Sequence, residues 1–138
     1  MDRTVDLWIE EFERDPYELA TTLPTRPFIL GRKGDPIGRS QRHARRNLIV
    51  FRHNFTIDEW WPNAIDALMT SLGGWDEVKL LIERLQPKEG PLVQFNLPVC
   101  GSPHQENNWI EPAMLARLAE HGLAIGFEFG NYSSDETK

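Results

Sequence analysis

Apolar and polar residues alternate over residues 4–10, TVDLWIE, with Val5, Leu7 and Ile9 on one side and Asp6, Trp8 and Glu10 on the other. A period of two predicts a half-buried strand. Asp15-Pro16 then opens a short helix. Asp15 is placed to cap it, Pro16 suits its first position, and Glu18 completes a capping box. Pro24 and Pro27 stop this helix near Leu23. Phe28, Ile29 and Leu30 give a brief second strand ending at Gly31. From 31 to 46 no apolar period survives. Gly31, Gly34, Asp35-Pro36 and Gly38 are turn signals, so the pattern predicts a long exposed loop. Asn47 to Phe55 restores a strand. Leu48 and Val50 share one face, Ile49 and Phe51 the other, and two apolar faces predict a central strand covered on both sides.

Thr56 and Glu59 have capping-box spacing, but Pro62 would sit too deep in a helix starting there. The expectation is a turn at 57–61 and a main helix from Pro62 to Leu72, with Ile65, Leu68, Met69 and Leu72 as its buried stripe. Gly73-Gly74 ends it. A second helix runs from Trp75 or Asp76 to Leu85, with Val78, Leu81, Ile82 and Leu85 inward. Leu92 to Val99 alternates again, with Pro98 at an edge or beyond the ladder. Residues 100–109 read as a polar loop. Glu111-Pro112 opens a helix carrying Met114, Leu115, Leu118 and Ala119, which Gly122 stops. Leu123, Ile125, Phe127 and Phe129 form a last strand. The order β-α-β-β-α-α-β-α-β predicts a single α+β domain over 1–132 with an exposed basic loop at 31–46, and a flexible tail at 133–138. The expected sheet is mixed and mostly antiparallel, with helices packed mainly on one face. Its first six units follow the split βαβ order of ferredoxin-like folds.

A chain of 138 residues with 40% hydrophobic residues and five tryptophans supports one core. No apolar run approaches the ~18 residues of a membrane span. The opening MDRTVDLWIEEF lacks the charged-then-apolar pattern of a leader, so the expected location is cytoplasmic, with no membrane partner. Cys100 stands alone, which rules out an internal disulfide and fits a reducing compartment. Charge adds more. The net charge is −6, yet residues 26–53 hold eight of the fifteen Lys and Arg residues and one acid, Asp35. A basic stretch on an acidic protein predicts one surface that receives an anion while the rest repels anions.

The opening strand DLWI, the helix DPYELATTL, the run PTRPFILGRKGDP, the helix ending WDEVKLLIERL and the closing unit EPAMLARLAEHGLAIGFEF together resemble the bacterial domain-of-unknown-function family 4279. The resemblance covers roughly residues 4 to 130. It departs where the family commonly opens its central strand with a tryptophan, because Asn47-Leu48 stands there. It implies an α+β fold and brings no assigned activity.

Among candidate chemical groups, Gly31-Arg32-Lys33-Gly34 offers bare backbone amides beside cations, as phosphate cradles do. A P-loop needs GxxxxGK[ST] leading into a helix, and Asp35-Pro36 starts none. A looser anion site from Arg26, Arg32, Lys33 and Arg39 stays open, against a plain solvated turn. Arg39, Arg42, His43, Arg45 and Arg46 form a second cluster, whose guanidinium forks suit phosphate and carboxylate alike. Exposed rings among the cations, as single-strand binding wants, are missing from this pattern, because Phe28 and Phe51 sit at strand positions expected to be buried. An acidic protein would use the same arginines. Cys100 and His104 form C-x3-H, but a catalytic thiolate needs a base and zinc needs three or four ligands. His43, His53 and His121 have no helpful spacing, so neither metal nor cofactor is predicted. The carboxylates Glu10, Glu11, Glu13, Asp15, Asp58, Glu59, Asp66, Asp76 and Glu77 mostly sit at helix starts and read as caps and solubilising charge.

Trp60-Trp61 at a helix start cannot both face the core. Together with Trp8 and Trp109 they are candidate interface anchors. The reading is a small, non-enzymatic binding protein that docks to another protein, in its most concrete form an immunity- or inhibitor-type protein in bacterial or phage conflict. The alternative is an anion, nucleotide or nucleic-acid module using the arginine-rich loop. Exposed strand edges make a homodimer plausible.

Overall fold

The computed structural model describes residues 3–98 and 108–130. Alternation and turn chemistry cut the chain into β1 (Arg3–Glu10), α1 (Pro16–Ala20), β2 (Ile29–Gly31), β3 (Leu48–Phe55), α2 (Trp61–Ser71), α3 (Trp75–Leu85), β4 (Leu92–Pro98), α4 (Pro112–Glu120) and β5 (Ala124–Gly130). The expected element order therefore forms, and the fold is α+β. The strands make one mixed sheet in the order β2-β3-β1-β4-β5. β1 pairs antiparallel with β3 and β4, β2 antiparallel with β3, and β5 parallel with β4. β3 thus lies between the two strands that α1 connects, and β1 between the two that α2 and α3 connect. This is the split βαβ order expected for the first units. α4 then carries the chain to β5 by a parallel crossover, which needs an intervening helix.

Register decides what each face does. Leu7 lies opposite Phe51 on one side and Val93 on the other. The same face carries Val5, Ile9, Ile49 and Phe95, all buried in one cluster with Ile65, Leu68 and Met69 of α2, Val78 and Leu81 of α3 and Leu118 of α4. Phe95 anchors an aromatic row: Trp61 stacks on it at 4.8 Å and Phe127 at 5.9 Å. Gly73 and Gly74, at φ 98° and 107°, reverse the chain between α2 and α3, a conformation that L side chains adopt only under strain.

The helices occupy one face only among the described residues, so the expectation that β3 is covered on both sides is corrected. Its second apolar pair, Leu48 and Val50, lies on the other face. There Val50 is buried beside Trp8, its cross-strand neighbour, and Leu48 is half-buried. The rest of that face is a polar ladder. Arg52 donates from Nε and Nη2 to the Asp6 carboxylate at 2.8 Å each, and Asn96 Nδ2 donates to it at 2.8 Å. Gln94 Nε2 links Asn96 at 3.3 Å to Glu128 at 2.9 Å. Asp6 is fully buried. Its charge is tolerated because three donors replace the lost water. Phe28, expected to be buried in a strand, precedes β2 and is 53% exposed, and its ring covers the Arg52 guanidinium at 3.7 Å, a cation–π contact.

Other differences are local. α1 stops at Ala20, and the chain reaches Leu23 through successive turns. α2 starts at Trp61, and Thr56 and Glu59 close a turn before it rather than capping it. Cys100, His104 and the 133–138 tail lie outside the described residues. No helix among the described residues is long and apolar enough to cross a membrane.

Candidate functional site

The segment expected to be a long exposed loop is exposed and is folded into a hairpin arm. It prolongs β2 and β3 beyond the sheet. Gly34 N–H donates to Ala44 O at 2.8 Å, Ala44 N–H to Asp35 O at 2.7 Å and Ile37 N–H to Arg42 O at 2.9 Å, with Pro36 bridged to His43. Side chains tie its root. Tyr17 Oη donates to Asp35 at 2.5 Å, Arg32 N–H donates to the same carboxylate, and Lys33 N–H donates to Asn47 Oδ1 at 2.8 Å. Arg32 forms a forked pair with Asp15, at 2.9 and 3.1 Å from Nη2, and lies over the Tyr17 ring. The Tyr17 link holds the Asp35 carboxyl below its usual range, helped by the Arg32 amide, and holds the Tyr17 phenol above its own.

The cations expected to bind a partner therefore divide. Arg32 is spent on Asp15. Arg46 sits among three carboxylates, Glu10 at 3.5 Å, Glu11 at 3.2 Å and Glu89 at 3.4 Å. Both hold the arm to the body rather than offering it charge. Lys33, Arg39, Arg42 and Arg45 are exposed and have no side-chain partner among the described residues. Arg26 is also exposed, but it precedes β2 at the end away from the arm and joins neither group. Arg52, absent from the expected set, is part of the polar ladder.

Two hollows flank the arm. One, of about 400 Å³, is mainly apolar, lined by Ile29 and Leu48 from the sheet and Pro36, Ile37 and Ala44 from the arm, with Arg45 but also the carboxylates of Glu10 and Asp35. The other, of about 310 Å³, holds Lys33, Arg45 and Lys88, but also Glu11 and Glu13. A phosphate entering it would meet two carboxylates.

The aromatic candidates also divide. Trp61 is half-buried and packs against the core on Phe95, and Trp8 is half-buried on the ladder face with no acceptor for its Nε1 among the described residues. Trp60 and Trp109 are 44% and 54% exposed and meet edge to face at 4.3 Å. They line a groove of about 560 Å³ between α2 and α4, with Asn63, Asp66, Glu111 and Arg117. This groove lies at the far end of β3 from the arm, so cations and exposed tryptophans do not form one surface. Among the described residues no group of three or more His, Cys, Asp or Glu side chains could hold a metal ion. Several carboxylates read as caps have a second role: Asp15 caps α1 and pairs with Arg32, while Asp66 accepts from Trp75 Nε1 at 2.9 Å and faces Arg117.

Compared with known proteins, the chain matches no family model, no curated protein and no solved structure. The geometry alone carries the functional reading.

Proposed function

We propose that this chain is a binding protein that docks onto an acidic segment of another protein through the 31–46 arm, as an inhibitor- or immunity-type protein would. One observation carries the reading. The arm is fixed to the body by Arg32 and Arg46, and on that frame it exposes the side chains of Lys33, Arg39, Arg42 and Arg45, which have no partner among the described residues, while Arg45 also lines an apolar hollow. Unpaired cations steer an acidic partner into place and select against basic ones. The adjoining hollow gives an apolar side chain somewhere to lose water, and such anchors supply most docking energy. Rigid attachment of the arm removes part of the ordering cost. A polyphosphate or nucleic acid would be drawn by the same cations and repelled by the same carboxylates, so the apolar hollow lined by Arg45 is what favours a protein side chain over a phosphate.

The test uses two baits in source lysate treated with nuclease: the wild-type chain and the variant Arg39→Glu, Arg42→Glu, Arg45→Glu. A defined protein held by the wild type, lost by the variant and released by salt supports the reading. Equal capture by both baits, or retention of nucleic acid alone before nuclease, refutes it.

A further inference from the structure

β5 ends the sheet opposite the arm, and its outer edge is unpaired among the described residues. Its sequence, AIGFEFG, contains neither proline nor lysine, the residues that usually blunt an edge. Its one charge, Glu128, already accepts from Gln94. On the helix side the core row continues outward through Phe127 and then Phe129, which stack at 6.4 Å and are 47% and 65% exposed. Open backbone groups and a stripe of exposed rings thus lie along the same edge.

We infer that this edge joins two copies of the chain. β5 pairs antiparallel with β5 of a second copy about a two-fold axis through Phe127, making one continuous sheet. Self-complementarity selects a second copy over a strand from an unrelated protein. In this register Phe127 faces the partner's Phe127, and Ile125 faces the partner's Phe129, so every pair on the helix side is apolar. On the other side Glu128 falls opposite the partner's Gly126, which has no side chain to oppose it. Moving the axis by one residue, to Glu128, would set two carboxylates side by side, which is destabilising. The strand's own alternation therefore keeps apolar residues opposite apolar ones on the helix side, and its one charge excludes the register centred on Glu128. A two-fold contact between identical patches closes on itself and does not propagate into fibres. In the pair the two cationic arms lie at the outermost strands, facing away from each other.

The test is the molar mass of the full chain by light scattering from low to high micromolar concentration. The expected wild-type result is a mass rising to twice that of the chain. Phe129→Glu, at a position mostly open to solvent, should stay monomeric with an unchanged circular dichroism spectrum. Phe127→Cys in a Cys100→Ser background should form a disulfide-linked dimer under mild oxidation, because the axis sets residue 127 against itself. A wild-type chain that stays monomeric throughout overturns the proposal. So does a dimer unaffected by Phe129→Glu, or the absence of a cross-link at 127. Because the arm plays no part in these readouts, failure here leaves the docking role standing, and the reverse holds too.

Discussion

At the β2 margin the chain keeps only three residues of strand and then folds a hairpin arm rich in arginine. At the β5 margin it leaves seven residues of strand with two exposed phenylalanines. Both margins end the same sheet, yet they manage their free edges in opposite ways. The first is short and charged, which deters strand addition and favours a partner that brings carboxylates. The second is long and apolar, which invites another strand. The polar ladder from Arg52 through Asp6, Asn96 and Gln94 to Glu128 runs across the four strands between β2 and the β5 edge. One sheet can therefore present two independent surfaces, because its centre is cross-linked.

The largest expected effect is a double dissociation between the margins. Reversing Arg39, Arg42 and Arg45 should weaken partner binding by about 100-fold or more, taking roughly 1 kcal/mol for each exposed pair lost. It should leave the assembly mass alone, whereas Phe129→Glu should halve the mass at high concentration and leave partner affinity per chain unchanged. Titration calorimetry and light scattering on the same two variants decide this. If either variant abolished both properties, the margins would be one surface.

Next in size is a substitution between them. Asp6→Ala leaves Arg52 without its buried carboxylate and takes an acceptor from Asn96. Removing one partner of a fully buried pair costs roughly 3–5 kcal/mol, and the partial exposure of Arg52 brings this case below that, to about 2–3 kcal/mol. Urea denaturation should show the midpoint falling with little change in slope. A loss below about 0.5 kcal/mol, the scale of an ordinary surface change, would mean the ladder is decoration.

A smaller effect separates arginines that look alike in sequence. Arg46→Ala leaves Glu10, Glu11 and Glu89 facing one another and should cost about 1 kcal/mol, less at high salt. Arg42→Ala should change stability by no more than about 0.5 kcal/mol. If the two were equal in thermal unfolding, the division between holding and presented cations would fail.

The strand and helix order was legible because it rests on local signals: alternation in β1 and β4, the stripe of Ile65, Leu68 and Met69, and glycine and proline at the ends. The division among the arginines was not. Arg46 owes its role to acids at and just after the end of β1 and before β4, and Arg52 to Asp6, 46 residues away. No local pattern encodes those pairings. The arm was read as open loop because a hairpin held by three backbone bonds needs no apolar alternation. Trp60 and Trp61 are neighbours with different fates: Trp61 is half-buried against Phe95 and Phe127, residues far away in sequence, while Trp60 is exposed. Val50 misled for a related reason. Its burial comes from the neighbouring strands and not from a second layer of helices.

The smallest effect tests how firmly the arm is held. Tyr17 Oη bonds Asp35 at 2.5 Å, a contact between exposed groups, so global stability should barely register it. Local opening should. Asp35 titrates below its ordinary range when the arm is docked, so its share of the link is present above the unfolded carboxylate pKa. That share is lost as pH falls through the lower folded value. Tyr17 titrates above its ordinary range, so its share is complete below the unfolded phenol pKa and lost as pH rises through the higher folded value. Between those limits the arm should be held equally well at every pH. Hydrogen exchange at the Gly34, Ile37 and Ala44 amides reads this directly, after correction for the intrinsic pH dependence of exchange. Protection should be flat through neutral pH and fall below the usual carboxylate range. Tyr17→Phe should lower it several-fold on the plateau while amides of the β5 margin are unmoved. If Tyr17→Phe left those three amides as protected as before, the arm would be held by its backbone bonds and by Arg32, Arg46 and Asn47, with no share from Tyr17.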